Sequence, residues 1–142
     1  MGRVAILALA GAVGAGLIGG VSYAQGQRTN EEYVSTADVT MFIQEPIPGA
    51  DGKQVTISRA AAAPGWVGGK HRHSGPTFVY VLKGAFTVDE EGGGGRTFGP
   101  GEIYEEPVGR RMQARNTSAT EPLEILVIQV SGKGEPLMYK AE

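Results

Sequence analysis

Cysteine is absent from the 142-residue chain, which excludes disulfides, thiolate metal ligands and cysteine nucleophiles. Basic and acidic residues number 13 and 15, and no block of like charge stands out, so we expect no nucleic-acid partner. No helical pattern of apolar residues occurs after the N-terminal segment. Glycine is plentiful, with 23 residues beside 8 prolines. Turn formers between short apolar runs favour an all-β domain.

The first 24 residues have the features of a secretory signal peptide. Arg3 is their only charged residue, a Gly-rich apolar stretch follows it, and small residues, Ser22 and Ala24, precede Gln25 at the expected cleavage site. The alternative is an uncleaved anchor, because the apolar stretch approaches the roughly 20 residues that span a bilayer. We expect a periplasmic or secreted protein, or one anchored in the membrane and facing the periplasm.

The rest of the chain divides into two parts. Residues 25–38 are polar and lack a sustained period, which predicts a linker or a loosely docked arm. Residues 39–142 contain short apolar runs between turns, a pattern typical of a β-sandwich or β-barrel. The runs that predict strands are 39–43, 54–61, 78–82, 85–88, 102–106, 111–116 and 123–130.

Three of these segments carry a more specific prediction. The runs 78–82 and 85–88 are separated only by Lys83 and Gly84, which predicts a β-hairpin. The run 123–130 is the most continuous apolar stretch and predicts a central strand that is buried on both faces. Residues 132–142 are interpreted as a tail.

The two histidines of the chain, His71 and His73, are one residue apart. Residues i and i+2 of a strand point to the same face, so two imidazoles there can bind one metal ion. A pair of solvated loop histidines is the alternative.

The residues around this pair match a known spacing. The chain resembles the cupin superfamily, in particular its small single-domain, type-2 conserved barrels. The first cupin motif, Gly-x5-His-x-His-x3-Glu-x6-Gly, is matched by Gly65, His71, His73 and Gly84. The second, Gly-x5-Pro-x-Gly-x2-His-x3-Asn, is matched by Gly101, Pro107, Gly109 and Asn116. The resemblance implies an antiparallel, jelly-roll-like β-barrel, in which three histidines and a glutamate converge on Mn, Fe, Ni, Cu or Zn.

Two of those four ligand positions are changed in this chain. Thr77 stands at the glutamate position and Met112 at the last histidine position. Neither residue supplies a charged oxygen, which a hard metal such as Mn(II) or Fe(II) prefers.

Three interpretations of the altered site remain open. His71, His73 and Met112 can form a soft site that favours copper. Alternatively, Glu105 or Glu106 replaces the missing glutamate; they point to opposite faces of their strand, so one of them should face inward. In the third interpretation the metal is lost, and the barrel binds an organic ligand or is only structural.

Other residues are candidates for the surroundings of the site. Thr77 is expected to be a strand residue or a hydrogen-bond donor beside the metal. The predicted pocket residues are Trp66, Thr77, Tyr80, Tyr104, Glu105 and Glu106. Arg110, Arg111 and Arg115 are either a site for an acidic ligand's carboxylate or a solvated strand face.

The sequence thus predicts an exported single-domain cupin that binds one metal ion through two histidines and binds, or acts on, a small organic molecule. The alternative is a non-catalytic small-ligand or copper-binding barrel. The resemblance also implies a possible homodimer, since small cupins often pair through their outer strands, which covers exposed sheet edges.

Overall fold

The computed structural model describes residues 30–142, so the predictions for residues 1–24 lie outside the described residues. This part of the chain forms ten strands and contains no helix that is long and apolar enough to cross a bilayer. The strands are β1 Asp38–Pro46, β2 Lys53–Ala62, β3 His71–His73, β4 Thr77–Lys83, β5 Phe86–Glu90, β6 Arg96–Phe98, β7 Ile103–Glu106, β8 Met112–Asn116, β9 Leu123–Gly132 and β10 Met138–Lys140.

The strands build two five-stranded antiparallel sheets, in the orders β1-β2-β9-β4-β7 and β10-β3-β8-β5-β6. The all-β prediction is therefore confirmed. Successive side chains of a strand point to opposite faces, so every second side chain lies between the two sheets. The buried apolar side chains there belong to Ala62, Val79, Val81, Phe86, Val88, Tyr104, Met112, Ala114, Leu123 and Ile125.

The predicted central strand lies in the middle of its sheet, as β9, where it pairs with β2 and β4. The prediction that both faces of this strand are buried is wrong. Leu123, Ile125, Gln129 and Ser131 are buried, and the residues between them are half-buried. One face of β9 therefore lies in the interior, and its apolar outer residues are only partly covered.

The predicted hairpin of β4 and β5 is also wrong. β4 pairs with β7 and β9 in one sheet, whereas β5 pairs with β6 and β8 in the other. Gly84 turns the chain between the sheets with a φ of 77°. A Cβ at this position would lie 2.5 Å from the carbonyl oxygen of Pro122. Only glycine fits this corner, because it tolerates both the left-handed conformation and the close backbone.

The C-terminal segment, predicted as a tail, contains β10. Met138 pairs with His73 and Lys140 pairs with His71 in an antiparallel register. This pairing covers the outer side of β3 and holds the short histidine strand between two neighbours. The prediction failed because three residues with one apolar side chain carry too weak a periodic signal.

The motif asparagine, Asn116, connects three segments near the end of β8. Its side chain is 1% exposed, and its Nδ2 donates to the carbonyl oxygens of Ala63 at 3.0 Å and Glu121 at 2.9 Å. Its Oδ1 accepts from the amide of Ser118 at 3.1 Å. The asparagine therefore satisfies backbone groups at a corner that the strand ladders do not reach.

Candidate metal centre

His71 and His73 lie on β3 with their side chains in the interior, each 5% exposed, and Arg72 points outward between them. This confirms the prediction that the two imidazoles share one face. The rings are 5.2 Å apart and meet edge to face. β8 and β10 flank β3 and fix its position.

The Nδ1 atoms of both histidines are engaged by oxygen acceptors. His71 Nδ1 is 2.9 Å from the carbonyl oxygen of Gly69. A carbonyl oxygen only accepts, so Nδ1 carries the proton in this contact. In the neutral ring, Nε2 then presents a lone pair, which is the form that a metal binds.

His73 is oriented in the same way by a glutamine. Its Nδ1 lies 3.0 Å from Oε1 of Gln129. The Gln129 amide is held by its other end, since Nε2 donates to the carbonyl oxygen of Leu137 at 2.8 Å and to the hydroxyl of Ser74 at 3.1 Å. Gln129 Oε1 therefore accepts from His73 Nδ1–H and leaves Nε2 to face the site.

A carboxylate completes the cluster. Glu106, on β7, is 3% exposed, and its Oε2 is in direct contact with His73 Nε2. Ligand atoms of His71, His73 and Glu106 all lie within 4.8 Å of one another. Oε2 is buried and has no hydrogen bond of ordinary geometry to any described residue. Two acceptor atoms in contact require a proton or a cation between them.

The structure selects between the two glutamates that the sequence offered. Glu106 faces the interior together with Tyr104, and Glu105 is exposed together with Ile103. Glu106 pairs across the strands with Thr77, the residue at the glutamate position of the cupin motif. The interior carboxylate therefore comes from β7, directly across from the β4 position at which the motif has its glutamate. Thr77 is fully buried and donates to the carbonyl oxygen of Gly75 at 3.0 Å.

Met112 lies opposite His71 in the β3–β8 pair and is 1% exposed. Its side chain belongs to the hydrophobic core cluster. Neither Met112 nor Thr77 is among the described residues that line the cavity next to the histidines. The predicted role of Met112 as a metal ligand stays a prediction.

Burial and charge act differently on the two imidazoles. Burial lowers the pKa of His71, and the neighbouring His73 lowers it further. Burial is the strongest single influence on His73 and acts to lower its pKa, but the charge and hydrogen bond of Glu106 and the hydrogen bond to Gln129 together outweigh it, so the pKa of His73 is raised. In the absence of a metal, the contact with Glu106 therefore favours the protonated form of His73.

A cavity of about 120 Å³ lies next to the three residues. Trp66 is one of its walls, and its indole Nε1 donates to Thr36 Oγ1 at 3.0 Å. The other aromatic candidates do not line it. Tyr80 is 38% exposed on the outer face, and Tyr104 is buried between Phe86 and Phe98.

Tyr33, which the sequence analysis did not single out, also lines the cavity. Its ring stacks on His71 with centroids 5.0 Å apart and planes 5° from parallel. The amide of Gly69 donates to its hydroxyl at 2.7 Å, and the Tyr33 amide donates to the carbonyl oxygen of Met138 at 3.0 Å. Part of the predicted arm is therefore docked beside the histidines.

The three arginines of the second motif region each contact an acid of the β5 end. Arg110 pairs with Glu90 at 3.0 Å, Arg111 with Glu91 at 3.0 Å, and Arg115 with Asp89 at 2.7 Å. These pairs favour the interpretation of a charged strand face over a ligand site in the barrel.

Two imidazoles and a carboxylate are a donor set that suits Zn, Fe(II) or Mn(II) better than the soft set with Met112. The buried, unsatisfied Oε2 of Glu106 fits the same interpretation. The fold and this cluster together define a small antiparallel barrel with a candidate metal site between its sheets.

The cupin domain family model matches residues 58–129, slightly more than half of the chain. The chain therefore belongs to the cupin family. No curated protein matches the sequence.

Solved structures share the fold at low sequence identity. The DMSP lyase DddQ of Ruegeria pomeroyi has a TM-score of 0.60 and 22% identity over 74% of this chain. The chain spans 51% of that lyase, about half of its length. A double-stranded β-helix protein of Klebsiella pneumoniae has a TM-score of 0.56 and 20% identity, over 75% of this chain and 84% of its own. A cupin domain of Bordetella pertussis has a TM-score of 0.54 and 23% identity, over 68% of this chain and 94% of its own.

Proposed function

We propose that this protein is an exported cupin that holds one metal ion through His71, His73 and Glu106 and uses it to bind, or act on, a small organic molecule. The observation that carries the proposal is the contact between His73 Nε2 and the buried, otherwise unsatisfied Oε2 of Glu106. A divalent cation at this point would satisfy both acceptors and the lone pair of His71.

The protein's own contribution is to hold these donors in place. Gly69 and Gln129 fix the tautomers of the histidines, and the β4–β7 pairing holds Glu106 in the interior. A bound metal would supply Lewis-acid polarisation of an oxygen on the ligand. The carboxylate favours zinc, iron or manganese over copper as the resident ion.

Elemental analysis of protein purified without added metal or chelator tests the proposal. The parent should contain close to one metal ion per chain, and Glu106→Gln should lose most of it. Glu105→Gln is the matched control, since it makes the same change on the exposed face of the same strand. A parent that contains no metal and takes up none on loading would contradict the proposal.

Export is proposed on the sequence of residues 1–24 alone. N-terminal sequencing of the protein from the periplasmic fraction should begin at Gln25 if the segment is a cleaved signal peptide. Recovery of the intact N-terminus in the membrane fraction would support the anchor instead.

The predicted homodimer stays a prediction. β1 lies at the end of its sheet in the described part of the chain, and Val39, Met41, Phe42 and Ile43 are 42–56% exposed on it. Light scattering of the mature protein, compared with its Phe42→Lys variant, tests whether these side chains bury each other between two copies.

A further inference from the structure

The cavity beside the candidate metal centre has apolar walls from both sheets and from the docked arm. The apolar lining includes Val39 and Met41 of β1, Ala60 of β2, Trp66, Phe86 of β5 and Met138 of β10. Small side chains on β2 leave the space open, because Ser58, Ala60 and Ala62 stand where larger residues would fill the core. The walls are therefore suited to hydrocarbon.

Charge is scarce in the same cavity. Glu106 is the one acidic residue among the described residues that line it, and neither lysine nor arginine is among them. The three arginines within the second motif pair with acidic side chains outside the cavity: Arg110 with Glu90, Arg111 with Glu91 and Arg115 with Asp89. A carboxylate on a ligand would therefore meet no guanidinium or ammonium group among the described residues that line the cavity.

In the metal-free protein a ligand carboxylate would have no cationic side chain of its own to pair with, and an unpaired carboxylate in apolar surroundings is costly. A phenol, alcohol or ketone has no such cost, and its oxygen can lie at the end where the imidazoles are. The volume of about 120 Å³, in a cavity that opens past the exposed side chains of Val39 and Met41, suits a ligand of about the size of one ring. An apolar cavity of about 150 Å³ in another protein accommodates benzene.

We propose that the cavity walls select small, uncharged, ring-sized organic molecules with a hydroxyl or carbonyl oxygen, and that in the metal-free protein they discriminate against carboxylic acids. The placement of that oxygen rests on the proposed metal function. The apolar selection does not, because the walls are present without the metal.

Two probes of matched shape test the selection. p-Cresol is uncharged at pH 7, since phenols titrate near pH 10, whereas p-toluate carries a carboxylate on the same ring. Each is titrated into the zinc-loaded and the metal-free protein by calorimetry or by NMR of the protein. We expect p-cresol to bind both forms, and to bind the metal-free form at least about tenfold more tightly than p-toluate does.

A pair of neighbouring variants locates the binding. Ala60→Phe fills the cavity from β2 and should weaken p-cresol binding by about tenfold or more while the zinc content stays unchanged. Ala61→Phe places the same ring on the opposite face of β2 and should change neither. Equal or tighter binding of p-toluate to the metal-free protein, or p-cresol binding that Ala60→Phe leaves intact, would overturn the inference.

The two proposals fail separately in this experiment. Zinc uptake by a protein whose metal-free form prefers p-toluate would retain the metal site and reject the ligand class. Binding of p-cresol that is lost in Ala60→Phe, in a protein that takes up no zinc, would retain the ligand class and reject the metal site.

Discussion

Glu90 and Glu106 are glutamates of low exposure in the same barrel, with side chains 10% and 4% exposed. Glu90 accepts from the hydroxyl of Tyr104 at 2.5 Å, from Arg96 at 2.7 Å and from Arg110 at 3.0 Å. Glu106 has no arginine or lysine partner within the described residues and contacts the imidazole of His73 instead. One carboxylate is neutralised by the protein, and the other is left to a proton or a metal.

The difference separates a stabilising cluster from a site that binds. The hydrogen bond from Tyr104 and the two arginines lower the pKa of Glu90, while burial and Glu90 raise the pKa of Tyr104. The charges of Glu90, Arg96 and Arg110 are therefore paired with one another. Around Glu106 three ligand atoms converge with no arginine or lysine of the described residues among them, which is typical of functional sites rather than of cores.

The largest expected effect is on metal affinity, in Glu106→Gln. Losing the charged oxygen should weaken zinc binding at least about a hundredfold, or about 2.7 kcal/mol, as measured by competition with a chromophoric chelator. Glu90→Gln removes the same charge from the other cluster and should leave zinc affinity unchanged. If Glu90→Gln weakened zinc binding as much as Glu106→Gln, the proposed difference between the two glutamates would be wrong.

The next effect concerns the orientation of His73. Gln129→Met removes the acceptor for Nδ1 and should lower zinc affinity by about 10- to 100-fold, whereas Gln129→Glu keeps an acceptor and should retain most of it. Gln54→Met, at a buried glutamine that donates to Ser131, is the control. Equal zinc affinity in the parent and Gln129→Met would show that the imidazole needs no such support.

Glu90→Gln should instead affect folding. Removing a charged acceptor from Tyr104, Arg96 and Arg110 should lower the free energy of unfolding by about 2 kcal/mol at pH 7, measured by urea titration. In metal-free protein, Glu106→Gln should cost less, because the carboxylate of Glu106 pairs only with His73 among the described residues, whereas Glu90 accepts from three groups. A larger loss in Glu106→Gln than in Glu90→Gln would reverse the assignment of the two roles.

The same pair predicts an acid dependence. The pKa of Glu90 is lowered from its ordinary 4.5 on folding, so its stabilisation is present above pH 4.5 and is lost as pH falls through the folded-state value. Stability of the parent should decrease more steeply below pH 4.5 than that of Glu90→Gln. Parallel curves over this range would show that Glu90 has the same pKa in both states.

The smallest effect is expected for Met112→Leu. With His71, His73 and Glu106 as ligands, this swap in the core should cost less than about 1.5 kcal/mol and leave the metal content unchanged. A ligand role for Met112 predicts loss of metal, and of copper in particular. Elemental analysis of this variant therefore decides between the hard and the soft donor set.

The spacing of glycines, histidines, Pro107 and Asn116 was sufficient to predict the fold, because those residues occupy corners and an inner strand. Gly65, Gly84, Gly101 and Gly109 all have positive φ, which gives their spacing a backbone cause. Strand pairing was less predictable. The β4–β5 hairpin failed because a two-residue link is compatible with a change of sheet when a glycine turns the corner.

The site was half predictable. The i, i+2 rule placed both histidines, and the same rule limited the carboxylate to Glu105 or Glu106 without choosing the inner face. Gln129 has a signal in the sequence, because it is an uncharged polar residue inside the most apolar run of the chain. Tyr33 left none, because its position depends on how the arm docks against β10 and β3.

X-ray absorption spectroscopy of the zinc-loaded mature protein tests the central claim most directly. The account predicts two imidazole nitrogens and at least one oxygen at about 2.0–2.1 Å from zinc. A sulfur scatterer at about 2.3 Å, or a spectrum that Glu106→Gln leaves unchanged, would contradict it.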